Sequence, residues 1–265
     1  TGCSSDQKVG GTNVSGTTDG EVITMKLANS NPPGDIRDKV CNKFADLVNE
    51  KTNGKVVIEV YSGGSLGDWR DTIEGLSMGI NEIVIESPSS LNPYSELASI
   101  DTLPFVYKDK EHWKKVMTSD LGKELLEAIG NEGGFKILGP QYRGAKITTS
   151  TKPIYSIDDV QGLKMRVPNN KCNIDQWKWL GAAPTPLALT ETFTALQQGT
   201  VEGQDNAVIE SYGLAFYDVC KYLALTNHCY ISDTFLFDRE YFENLDPEIQ
   251  AAIEEAANEA AVWRT

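Results

Sequence analysis

The chain has no run of about 18 consecutive apolar residues, so it offers no candidate for a membrane-crossing helix. Positive charge is scarce: 24 Lys and Arg stand against 38 Asp and Glu, for a formal net charge of -14. That balance argues against nucleic acid as a partner, because phosphate neutralisation needs clustered cations. It leaves room for a small anion, since a few well-placed cations set a local potential whatever the global sum. The 5 cysteines (Cys3, Cys41, Cys172, Cys220 and Cys229) form no Cys-x-x-Cys pair, which removes the usual zinc patterns, and their spacing leaves open whether any are oxidised. Gly63-Gly64-Ser65-Leu66-Gly67 lacks the Gly-Lys-Ser/Thr ending of a phosphate loop. No cofactor or metal is implied.

What is present suits an α/β protein. With 265 residues, 40% of them hydrophobic, the chain can bury one large core or two medium ones. Ile23, Met25 and Leu27 alternate with Thr24 and Lys26, predicting a strand over 22–28. Ile36, Val40, Phe44, Leu47 and Val48 then fall at helical spacing, Asn53-Gly54 closes that helix, and 56–61 reads as the next strand. This βαβ start continues with a helix over 67–79 and a strand at 83–85. Further helices are expected near 111–117 and 121–131, with a strand at 136–138. A second unit follows, with strands near 146–149, 163–167 and 200–203 and helices near 172–180 and 190–198. The last helix opens on Asp246 as N-cap with Pro247 in its first turn. Thr1-Gly2-Cys3 resembles the end of a bacterial lipobox, and 1–19 reads as a polar tether, which makes Cys3 a candidate lipidation site or else an ordinary cysteine in a polar tail.

The stretch from Gln161 to Asn206 is the most informative. It places Arg166 near the end of an alternating run stopped by Pro168, where a guanidinium suits an anion. This stretch resembles the substrate-binding proteins of TRAP (tripartite ATP-independent periplasmic) transporters. So, in the same order, do YSGGSLGD, IES, GAKITTS, GLKMRVPN, GAAPTPLAL, EGQDN and FYDVCKYLALTNH. The resemblance implies two α/β lobes with mixed, mainly parallel sheets, a ligand cleft between them, and closure on binding. It divides the chain into 20–143 plus 231–265 and 144–230. Members of the family usually continue for some tens of residues, so a C-terminal continuation is expected beyond this sequence. It also implies an extracytoplasmic receptor, monomeric, that serves two membrane subunits.

Carried over residue by residue, the resemblance makes Arg166 the carboxylate anchor, with Asn206 and Asn169 beside it. Where the family has a second cationic arginine this chain has Lys146, a point charge rather than a fork. Arg143, three residues earlier, is a possible substitute or a surface ion-pair partner. Leu189 replaces an aromatic of the sialic-acid-binding branch. The first lobe would offer Asn29, Asp68 and Glu86 to sugar hydroxyls, carboxylates being good acceptors. Trp69 suits stacking on a sugar or plain packing, Asp205 would orient Arg166 or Lys146, and His228 joins the polar candidates. These residues favour a sugar acid, a hexuronate first, then sialic acid, then an aldonic or keto sugar acid. The competing classes are an extracytoplasmic sensor and an enzyme built on a Cys229–His228 dyad, although sequence neighbours on a strand point to opposite faces.

Overall fold

The computed structural model describes residues 22–265, so Cys3 and the segment 1–19 lie outside the described residues. The apolar alternation forms β1 (Ile23–Ala28), and α1 (Ile36–Lys51) starts where the Asp35 carboxylate accepts from the backbone N–H of Arg37 and Asp38. Val40, Cys41, Phe44, Leu47 and Val48 of α1 are buried, and the helix is followed by Asn53 and Gly54 at φ 51° and 79°. β2 (Val56–Tyr61) and β3 (Ile83–Glu86) flank β1 in parallel, with α2 (Trp69–Ser77) between them in sequence. Next come α3 (Lys110–Met117), α4 (Asp120–Gly133), β4 (Phe135–Ser150), β5 (Lys164–Val167), α5 (Lys171–Trp179), β6 (Ala183–Pro186) and α6 (Leu189–Gln197). β7 (Gly203–Ala207), α7 (Val208–Gly213), β8 (Tyr222–Ala224), β9 (Tyr230–Asp238), α8 (Arg239–Glu243) and α9 (Pro247–Arg264) complete the order.

The strands run β2-β1-β3-β9-β4-β7-β5-β6, with β8 also on β4. The two outer groups are parallel, and β4 and β9 enter antiparallel. β4 belongs to both groups, since it pairs with β9 as far as Ala145 and with β7 from Lys146 to Ser150. In the first group, α1 and α9 cover one face through Phe44, Phe235, Ile253 and Ala256, and α2, α3 and α4 cover the other through Ile73, Trp113, Leu126 and Ile129. The second group packs α5 through Trp177 against Met165 and Val167. The architecture is two-lobed α/β.

Three boundaries differ from the sequence expectation. The strands expected at 136–138 and 146–149 are one strand of 16 residues, because Gly139-Pro140 and Gly144 sit in or beside register shifts instead of ending the ladder. Gly144 has φ 140°, and a Cβ there would lie 2.5 Å from that of Ala207, so only glycine lets β4 meet β7. The strand expected at 200–203 is instead Gly203–Ala207: its polar residues read as a loop, yet all five are buried in mid-sheet. The helix expected over 67–79 is shorter, with Asp68 as its N-cap and Met78, counted as a helix residue, 69% exposed. The four described cysteines, Cys41, Cys172, Cys220 and Cys229, are all unpaired.

On β9, beside the crossing strand β4, the fully buried Asp233 binds Arg37 at 2.8 Å and Arg264 at 2.6 Å, with Arg143 at 3.7 Å. Burial pushes its carboxyl up, but the three guanidinium groups outweigh burial and hold it down at about 2, against an ordinary 3.8. A carboxyl lowered on folding stabilises the protein above its unfolded value and loses that contribution as pH falls through its folded value. Asp233→Asn should therefore cost about 3 kcal/mol or more at pH 7. In urea titrations across pH, the gap between variant and wild type should shrink as pH falls from about 4 to about 2; a gap independent of pH would refute the charge role.

Candidate functional site

The carboxyl ends of the parallel strands in both groups meet at one gap, the crevice where open α/β sheets take ligands. A cavity of about 180 Å3 lies there, lined from one side by Asp68, Trp69, Glu86 and four serines, and from the other by Lys146, Arg166, Leu189, Asp205 and Asn206, with Arg143 at the crossing. Eight of the eleven residues carried over onto the cleft line this cavity, brought together from distant parts of the chain.

Strand alternation gives β7 two polar faces. One carries Asn206 and Gln204, and Gln204 is in register with Arg166 of β5. The other carries Asp205, opposite Thr148, with Lys146 two residues along β4. Lys146 Nζ donates to Asp205 Oδ2 at 3.1 Å and to Asn173 Oδ1 at 2.9 Å, and His228 Nε2 lies 3.1 Å from the same Asp205 oxygen. Burial raises the Asp205 carboxyl, but Lys146 and His228 outweigh it and hold it well below the usual carboxylate range. Asp205 thus orients Lys146, while His228 stands behind it instead of lining the cavity.

Arg166 is different. It is 4% exposed, its Nε and Nη2 both donate to the Leu187 carbonyl at 3.0 and 2.8 Å, and among the described residues no carboxylate lies within ion-pair distance. Burial outweighs the pull of Asp205 and Glu210, neither in contact with it, and pushes it down to about 10, leaving it protonated at neutral pH. Arg143, by contrast, is paired with Glu210.

Asn29 and Asn169 are placed elsewhere than in the cavity lining. Asn29 Nδ2 donates to Ser62 Oγ at 3.1 Å and its Oδ1 accepts from the Asn31 backbone, shaping the loop after β1. Asn169 offers its backbone carbonyl to Arg70 Nη2 at 2.9 Å, and the next residue, Asn170, reaches the lining and donates to the Ser89 carbonyl at 2.8 Å. Asp68 lines the cleft while capping α2. Sequence reading missed Arg37 and Glu210. Arg37 donates to Glu86 Oε1 at 3.1 Å and fixes that carboxylate, whose other oxygen accepts from Ser87 N and Ser90 Oγ. An arginine on the apolar face of α1 was the available signal, because a buried charge demands partners.

The Cys229–His228 dyad does not assemble. Cys229 Sγ donates to the Thr102 carbonyl, burial pushes its thiol up to about 12, and the His228 ring turns to Asp205 and Thr226. A larger cavity, about 870 Å3, lies beyond His228, lined by Phe105, Ile157, Trp177 and Trp179. Such a surface has little with which to hold a small anion. Among the described residues no cluster has the composition of a metal site, and no helix is long and apolar enough to cross a membrane.

Two α/β lobes with a cleft between them, spanned by a shared strand, define a solute-binding protein of the two-lobed type. The family model described as bacterial extracellular solute-binding protein, family 7, matches residues 27–265, and the chain belongs to that family, the substrate-binding proteins of TRAP transporters. It is 30% identical over 233 residues to the sialic acid-binding periplasmic protein of Vibrio cholerae, covering 88% of this chain and 73% of that one. A TRAP periplasmic solute binding protein from Roseobacter denitrificans with bound β-D-glucuronate superposes with a TM-score of 0.86 at 30% identity, covering 91% of this chain and 80% of that one. The sugar acid binding protein of Advenella mimigardefordensis in complex with galactonate gives 0.87 at 28% identity, covering 93% and 79%. The family is one of binding proteins that serve membrane transport subunits, not of enzymes.

The buried charge of Arg166, without an ion-pair partner among the described residues, has a cost that can be measured. A base whose value is lowered on folding destabilises the protein below that value, and the penalty is relieved as pH rises through it. From 12.5 to about 10, the shift corresponds to at most about 3 kcal/mol at neutral pH. Arg166→Met should leave the ligand-free protein as stable as wild type or more so, whereas Lys146→Met, which strips Asp205 of its cation, should cost about 3 to 5 kcal/mol. Thermal and urea melts would check the ranking; the opposite order would contradict this charge accounting.

Proposed function

We propose that this protein is the extracytoplasmic receptor of a TRAP transporter, taking a sugar acid, preferably a hexuronate, into the cleft and closing over it by a hinge. The observation that carries the reading is Arg166: a buried, protonated guanidinium in the cleft without a carboxylate partner among the described residues. A ligand carboxylate would supply that partner, and Asn206 would add an amide donor. Glu86 and Asp68, with Ser87, Ser89 and Ser90, suit hydroxyls opposite the anchor. Leu189, where the sialic-acid-binding branch carries an aromatic, suits a smaller solute than a nonulosonic acid.

The moving units would be 20–143 with 231–265 against 144–230, joined through β4 and β9, with Gly144 at the junction. Ligand favours the closed form only through its greater affinity for it. Cys3 would carry the lipid that keeps a monomeric receptor at the membrane. An aldonic acid is the second reading, favoured by the galactonate bound to the Advenella mimigardefordensis protein.

The test is a thermal-shift and calorimetric panel of uronates, aldonates, sialic acid, dicarboxylates and amino acids. One sugar acid should raise the melting temperature by several degrees. Arg166→Met should lose at least about 30-fold in affinity for it, as expected when one side of a buried charge pair is removed. Unchanged affinity in that variant would remove Arg166 as the anchor, and a panel with no response would remove the sugar-acid reading.

A further inference from the structure

Resting on that receptor reading, we infer that Arg143 acts as a positioning residue: held by Glu210, it sets the amide of Asn206 so that its Nδ2 faces the solute. Arg143 lines the cleft and invites the view that it grips the ligand itself. Its bonds argue otherwise. Nε donates to Glu210 Oε2 at 2.9 Å, and Nη2 reaches both Glu210 oxygens at 2.5 Å. Nη1 faces Asp233 at 3.7 Å. Glu210 is 2% exposed and Asp233 fully buried, so the charge of Arg143 is answered from within the protein. Arg166, whose bonds go to a neutral carbonyl, keeps its charge for a ligand.

What Arg143 still supplies is one further donor contact, from Nη2 to Asn206 Oδ1 at 3.2 Å. A guanidinium has only donors, so the amide oxygen must be the atom that faces it. The Asn206 side chain is thereby fixed in one of its two orientations. Its Nδ2, which donates to no group among the described residues, is left on the cleft side of a residue that is itself only 4% exposed. Without Arg143 the amide could turn over and present its oxygen to the carboxylate held by Arg166, an acceptor against an acceptor. Glu210 also accepts from Asn31 Nδ2 at 3.3 Å, tying this setting to the loop after β1 on the other side of the cleft.

A double-mutant cycle between Arg143→Lys and Asn206→Ala tests the role, because Lys keeps the charge but loses the fork. Binding is read by calorimetry with glucuronate, galacturonate or galactonate, whichever binds wild type. Arg143→Lys alone should weaken binding about tenfold, and in the Asn206→Ala background it should change affinity less than about twofold. Glu210→Gln, which loosens the hold on Arg143, should repeat the pattern at a smaller size and serves if Arg143→Lys does not fold. A merely structural role would lower the melting temperature equally in both backgrounds without this non-additivity. Losses that multiply across the cycle would place Arg143 on the ligand itself and overturn the positioning role alone. Wild type that binds none of the three acids would overturn the receptor reading and this inference with it.

Discussion

The structure depends on one buried carboxylate. Asp233 sits on β9 beside β4, the strand shared by the two sheet groups, and it gathers Arg37, Arg143 and Arg264. Three guanidinium groups near a cleft would repel one another and compete for any anion that entered. Glu86 and Glu210 complete the neutralisation, and Asp205 does the same for Lys146. Arg166 is left as the cleft cation without a carboxylate in contact among the described residues. A low local dielectric makes an unpaired charge expensive and, for the same reason, makes it a strong and selective partner for an incoming anion.

The second constraint is geometric. β4, paired with β9, passes from one sheet group into the other as a single strand, its register shifting near Gly139 and Gly144 on the way. That continuity aims the carboxyl ends of β3, β5 and β7 at a common gap. Gly144 is the point where a side chain would collide with β7, so the close approach of the two groups rests on a missing methyl. A strand that crosses is also a natural place for bending, because its bulges already interrupt regular pairing.

Much of this was legible beforehand. Helices α1 and α9 announced themselves by spacing, caps and a proline in the first turn, since both bury a stripe along one side. Arg166 stood out because a charged residue beside buried Met165 and Val167 in a short strand has few innocent explanations. β7 was misplaced because GQDNA has none of the apolar alternation by which strands are recognised; Gln204, Asp205 and Asn206 find partners in Thr149, Lys146 and Arg143 of β4, which no one-dimensional pattern reveals. For Arg143 the sequence left open a substitute cation or an ion-pair partner, and its pairing with Glu210 shows the second. Asn29 and Asn169 carried the right chemistry one loop or one residue away from where it is displayed.

By itself the sequence determined the apolar-patterned elements, the α/β class, the family resemblance and the residue types available to hold an anion, because those follow from local spacing and side-chain chemistry. Only the tertiary structure decided which charges cancel. Pairing across Arg37 to Asp233, Arg143 to Glu210 and Lys146 to Asp205 spans long stretches of chain. Electrostatic energy depends on distance in space and on burial, and neither is written in the order of residues.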